Sequence, residues 1–185
     1  VGDKHARERK RLWPIYQQQC GQSEFGYLAW EKLITMANKE NNFEESRKLA
    51  KASQEKSCAV DEAQKVAESG IRDPTIQRGF FQEAAAAYKE AQKMAETKPD
   101  APETKKQWRK AAELYEGALK EAPHRKEAPE AAILGASAYK QIGEYDKAIG
   151  MYELFIKEYG EEDRLAKLEK GDPTAKPPQA PNPEE

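Results

Sequence analysis

The sequence predicts an all-α chain of stacked helical hairpins, and three observations carry that reading. Apolar residues from Pro129 to Gly160 recur at three- and four-residue spacing on both sides of one glycine, which reads as helix, turn, helix. A spacing of aromatic and small residues taken from the later helix of that pair occurs four times along the chain. Of 185 residues, 38% are hydrophobic and 35% charged, so the apolar side chains suffice for narrow helical faces, and elongated stacking suits them better than a globule. About seven or eight helices are expected on these grounds.

Residues 1–22 read as an amino-terminal capping segment. Leu12, Trp13, Ile15 and Tyr16 form its apolar cluster, with Pro14 breaking or starting a helix among them. Trp13 and Tyr16 suit the closing of a stack end better than a ligand box. The basic run Arg7 to Arg11 contains Glu8 and reads as a solvated helix face, with an anionic partner site as the alternative.

The helical region spans 23–170. Between Glu24 and Lys39, the spacing of Tyr27, Trp30, Leu33, Ile34 and Ala37 predicts an amphipathic helix, ended by Asn41 and Asn42. Asn42 and Glu45 have the spacing of a capping box for the next helix, which carries Phe43, Ser46, Leu49, Ala50 and Ser53. No Pro or Gly follows until Gly70, and Val60, Ala63, Val66 and Ala67 prolong a weak stripe, so one helix is expected from Phe43 to Glu68. Asp73-Pro74 then supplies a start signal, with Asp as cap and Pro in the first turn. Phe80, Phe81, Ala84, Ala85, Tyr88, Ala91 and Met94 mark the helix from Thr75 to Glu96, and Trp108, Ala111, Ala112, Tyr115, Ala118 and Leu119 the one from Glu103 to Glu121. The four signature starts, Phe43, Phe81, Trp108 and Tyr145, are separated by 38, 27 and 37 residues. The middle interval is too short for a complete extra hairpin, so the Thr75 helix must partner the Glu103 helix.

In the last pair, Ala132, Ala136, Tyr139 and Ile142 precede Gly143, and Tyr145, Ala148, Ile149, Tyr152, Phe155 and Ile156 follow it. Gly135, Ala136 and Ala148 predict a close approach of the two backbones, with Tyr139, Tyr145 and Tyr152 filling the space around the crossing. This stretch resembles a tetratricopeptide repeat, a helical hairpin of about 34 residues with the order small residue, Tyr, Gly, aromatic, Ala, Tyr. It departs from the family at Phe155, where a small residue is usual, and at Gly160, where Pro is common. The Trp30 hairpin resembles a second such unit. The resemblance implies a right-handed α-solenoid of degenerate hairpins. The run YELFIKEYG is similar to repeats of bacterial cell-envelope proteins, which implies a periplasmic or otherwise exported protein, with the cytoplasm as the alternative. After Gly160, Leu165, Ala166 and Leu168 suggest a short helix able to cover the last stripe. Residues 171–185 hold five prolines and read as a flexible tail or a linker to further repeats of a longer protein.

Basic residues number 31 and acidic residues 33, for a formal net charge of −2, so no large field is expected to attract nucleic acid. No apolar run reaches the ~20 residues that span a bilayer, so no direct membrane insertion is expected. His5 and His124 lack neighbours at metal-ligand spacing, no nucleotide or hydrolase motif occurs, and no carboxylate pair sits in an apolar setting. No catalytic residue, cofactor or metal is expected.

Cys20 and Cys58 are a candidate disulfide. If antiparallel helices turn at Asn41-Asn42, Cys58 lies opposite Phe25, and Cys20 is about one turn away. Closing that loop would contribute roughly 4 kcal/mol in the chain-entropy model and would indicate an oxidising compartment. Two unrelated thiols in a cytosolic protein are the alternative. By the family resemblance, first helices line an inner groove, which would place Leu28, Glu31, Thr35 and Asn38, and Ile133, Ser137 and Lys140, toward a protein or peptide partner. Glu31 and Thr35 do not supply the basic clamp of chaperone-tail-binding members. The expected function is a non-catalytic protein–protein interaction scaffold, in an envelope or motility assembly. A helical accessory domain of an envelope enzyme and a cytosolic adaptor are the alternatives.

Overall fold

Six helices and no strand make up the described part of the computed structural model, which comprises Arg7, Arg11 and residues 26–55, 62–162, 165 and 166. They are α1 (Gly26–Lys39), α2 (Phe43–Glu55), α3 (Glu62–Thr97), α4 (Pro102–Glu121), α5 (Ala128–Gln141) and α6 (Tyr145–Tyr159). Two compact units divide the chain, Val1–Glu83 and Ala84–Glu185, and α3 crosses the division. Cys20, Cys58, the Trp13 cluster and the 171–185 tail lie outside the described residues.

In the first unit, the three- and four-residue spacing of α1 places Trp30, Leu33, Ile34 and Ala37 on one face, where they are buried with Leu49 of α2. Burial of each large apolar side chain in such a cluster stabilises by about 2 kcal/mol. Ile76 of α3 packs against the same cluster. The connection between α1 and α2 satisfies its own backbone. Asn41 takes a left-handed φ of 55°, the Asn42 N–H donates to the Ala37 carbonyl at 2.9 Å, and the Asn41 N–H donates to Asn38 at 3.0 Å. Asn42 then caps α2 by accepting the Glu45 N–H at 3.3 Å. Only this half of the expected capping box forms, because the Asn42 N–H is already engaged by Ala37.

Asp73-Pro74 does not start a helix; α3 runs through Pro74 without interruption. An interior proline contributes no N–H to the ladder and costs about 3 kcal/mol. Side chains beyond it offset that cost: Ile76 joins the Trp30 cluster and Phe81 is buried. The expected helix from Phe43 to Glu68 falls partly on residues 56–61, outside the described residues; helix is present on either side of them.

In the second unit, the carboxyl-terminal part of α3 partners α4 as the short spacing required. The Tyr88 ring meets Trp108 edge-on with centroids 4.9 Å apart, lies 6.1 Å from Tyr115, and Gln107 Nε2 donates to the Ala87 carbonyl at 3.3 Å. Pro102 opens α4, where its missing N–H is not needed, and the buried Thr104 hydroxyl donates to Lys98 O at 2.7 Å. Gly135 sits where α5 meets its neighbours. A Cβ there would fall 2.9 Å from Met151 Sδ and 3.1 Å from Tyr115 Cβ, so the absence of a side chain sets the helix spacing.

The α5–α6 turn repeats the α1–α2 turn. Gly143 has φ 77°, the Glu144 N–H donates to Tyr139 at 3.0 Å, and the Gly143 N–H donates to Lys140 at 3.1 Å. From Asn41 to Gly143 the offset is 102 residues, and the same offset carries buried Trp30, Leu33, Ile34, Ala37, Ser46 and Leu49 onto buried Ala132, Gly135, Ala136, Tyr139, Ala148 and Met151. The two hairpins are therefore one pattern written twice with different side chains.

Candidate protein-interaction surfaces

Nine of the fifteen residues of α6 are apolar, more than one core-facing stripe needs. The helix divides them among three faces. Ala148, Met151 and Tyr159 are buried, with Phe155 half-buried beside them. The Tyr159 hydroxyl donates to Pro123 O at 2.8 Å, tying the end of α6 to the loop after α4. Tyr145, Ile149, Tyr152 and Ile156 face outward, with exposures of 62%, 53%, 38% and 68%. Tyr145 and Tyr152 thus do not fill the helix crossing. The small side chains at Gly135 and Ala148 bring the backbones too close for them, and Met151 and Tyr139 occupy the interior instead.

The third face borders a groove of ≈ 630 Å³ between α4 and α6. Leu119, Pro123, Met151, Leu154 and Tyr159 give it apolar walls, while Glu116 and Lys120 of α4 and Lys147 and Glu158 of α6 stand around it. Glu116 accepts from the Tyr139 hydroxyl and from Lys120, each at 2.9 Å, and Lys147 Nζ lies 5.0 Å from the centre of the Tyr139 ring. Burial, followed by the bond to Glu116, raises the Tyr139 phenol above its ordinary pKa. The bond from Lys120 holds the Glu116 carboxyl below the usual carboxylate range. Glu144 is lowered likewise, by Lys147 and then by Arg109, whose Nε donates to it at 2.9 Å. Each shift keeps its group in the form it already has at neutral pH.

The sequence-predicted groove residues occupy different surroundings. Leu28, Glu31 and Thr35 are half-buried on α1, with the Thr35 hydroxyl donating to Glu31 Oε1 at 3.1 Å. Asn38 is 6% exposed and its amide lies against Gly79 of α3, an interior position. On α5, Ile133 and Lys140 are exposed, and Ser137 accepts from the Tyr88 hydroxyl at 3.4 Å. Sequence reasoning missed Leu119, Leu154 and Tyr159 as groove residues. The signal was the surplus of apolar residues in YELFIKEY, spread around more of the helix than a single stripe. Among the described residues, no group of His, Cys, Asp and Glu has the geometry to hold a metal, and no helix is long and apolar enough to cross a membrane.

The chain matches no protein-family model, no curated protein and no solved structure. The tetratricopeptide resemblance therefore rests on the residues that carry it in the sequence.

Proposed function

We propose that this chain is a non-catalytic protein–protein interaction scaffold built from tetratricopeptide-like hairpins. The observation that carries the reading is the open groove between α4 and α6, with apolar walls and paired charges around it. Such a site suits apolar side chains of a peptide or helix and asks for no charged ligand. The hairpin reading is supported by the two matched turns and by the burial pattern their hairpins share. A right-handed solenoid is the arrangement this reading expects. The likeness of YELFIKEYG to envelope repeats supports a place in a bacterial envelope assembly.

Selection of displayed random peptides against the whole chain tests the function. The expected outcome is an apolar consensus whose binding is lost in Leu154→Glu, a half-exposed position that does not hold the core. Failure to enrich any peptide, or binding indifferent to Leu154→Glu, would overturn the groove assignment. Intact mass after thiol alkylation, with and without reductant, tests the compartment: Cys20 and Cys58 protected until reduction supports export, and free thiols move the reading to a cytosolic adaptor.

A further inference from the structure

Gly150 lines the groove between α4 and α6 in the interior of α6, where a glycine is less favourable than an alanine. Neither backbone nor packing accounts for it. Among the described residues only Gly143 is a glycine with positive φ, and a Cβ added at Gly150 would find nothing within 4 Å. What the missing side chain leaves is space on the groove side. We propose that this space is a specificity pocket: a partner protein lays an amphipathic helix in the groove and seats one large apolar side chain over Gly150. The proposal rests on the groove reading and adds to it the form of the partner and the residue that selects it.

The helical form follows from the spacing of the walls. Lys147, Gly150, Met151 and Leu154 all border the groove, and the last three stand three, four and seven residues beyond the first. That is the four-residue outline in which one helix receives a side chain of another. Glu116, Leu119 and Lys120 repeat the spacing on α4. A strand presents a side chain to one face every second residue and would match neither wall. From Lys147 to Glu158 the groove runs roughly 16 Å at 1.5 Å per residue, about three turns of a partner helix.

Charge complementarity fixes what that helix carries. Glu116 is held by Lys120 at 2.9 Å, Lys147 by Glu144 at 2.8 Å and Glu158 by Lys157 at 3.6 Å, so each charge around the groove already has its counterpart within the chain. A charged side chain entering the groove would displace one of these or stand unpaired, whereas an apolar one meets buried Leu119 and Met151 and half-exposed Leu154. The wall of α6 is lowest at Gly150, and the largest partner side chain fits there.

Peptides selected by display against the whole chain, then synthesised and titrated by fluorescence anisotropy, test the proposal. The expected consensus carries apolar residues three and four apart, one of them large, and shortening that one to alanine should weaken binding roughly tenfold. Gly150→Leu should keep a circular dichroism melt no lower than that of the parent chain and weaken the selected peptide roughly tenfold, yet bind the alanine-shortened peptide better than the parent chain does. Gly150→Ala, which fills less of the space, should weaken the selected peptide to a smaller extent. Gly117→Leu, at an open glycine of α4 outside the groove lining, should leave binding unchanged. Binding lost in Leu154→Glu but unmoved by Gly150→Leu would overturn this proposal alone. Indifference to both substitutions, or no enriched peptide, would overturn the groove reading and the proposal with it. A consensus with apolar residues at every second position would overturn the helical partner.

Discussion

Three helical glycines differ only in the space around them, and that difference should set the sign of their replacement by alanine. At Gly117 in α4 and Gly150 in α6 an added methyl would have nothing within 4 Å, whereas at Gly135 in α5 the methyl meets Met151 and Tyr115. In a helix interior alanine is favoured over glycine by about 1 kcal/mol. Gly117→Ala and Gly150→Ala should therefore stabilise by about 0.5–1 kcal/mol. At Gly135 the same gain is opposed. Met151 can swing its thioether aside, but Tyr115 is buried and holds its ring against Tyr88, so its Cβ at 3.1 Å has nowhere to go. Overpacking of this kind costs about 1–3 kcal/mol, leaving Gly135→Ala destabilised by about 1 kcal/mol. Urea unfolding followed by circular dichroism should then separate Gly135→Ala from the other two by roughly 2 kcal/mol. Met151→Ala should cost less in the Gly135→Ala background than in the parent chain, because the added methyl fills part of the space it vacates, a coupling between neighbours. Equal stabilisation at all three glycines would refute the close approach as the determinant of helix spacing.

Further outcomes follow from the same contacts. Tyr159→Phe removes the hydroxyl that Pro123 O accepts and should cost about 1–2 kcal/mol in the same unfolding assay, with no change in helix content. Stability should also fall at both ends of the pH scale. Glu116 and Glu144 are lowered from 4.5, so their contribution is present above that value and fades as pH drops below it through the folded-state pKa values. Tyr115 and Tyr139 are raised from 10.0, so theirs is complete below that value and fades as pH rises beyond it; Tyr139→Phe should blunt the alkaline loss in urea midpoints measured against pH.

Helix positions were legible because the apolar spacing is local. Trp30, Leu33, Ile34 and Ala37 announced the buried face of α1, and Asn41-Asn42 and Gly143 announced turns that left-handed backbone later accounts for. Pro74 misled because a local stop signal was outweighed by the packing of half-buried Ile76 against the Trp30 cluster, whose residues are distant in the chain, and by the burial of Phe81. Asn38 looked available because helical spacing alone does not reveal that Gly79 brings another helix against it. For α6, the sequence showed that apolar residues were plentiful but not which of them the core would take. That choice was made by Gly135, whose missing side chain admits Met151 and leaves Tyr145 and Tyr152 outside.

Met151 also makes the second unit answerable to oxidants. Its sulfur rests in the space that Gly135 leaves, and an added oxygen would need room already bounded by Tyr115. The buried thioether is shielded while α5 and α6 stay packed, whereas Met36 and Met94 are only half-buried. Peroxide should therefore reach Met36 and Met94 first and the buried Met151, which borders only the groove, last. Once formed, the sulfoxide would no longer fit the space beside Gly135, turning a passing encounter into a lasting chemical mark on the packing of α5 against α6.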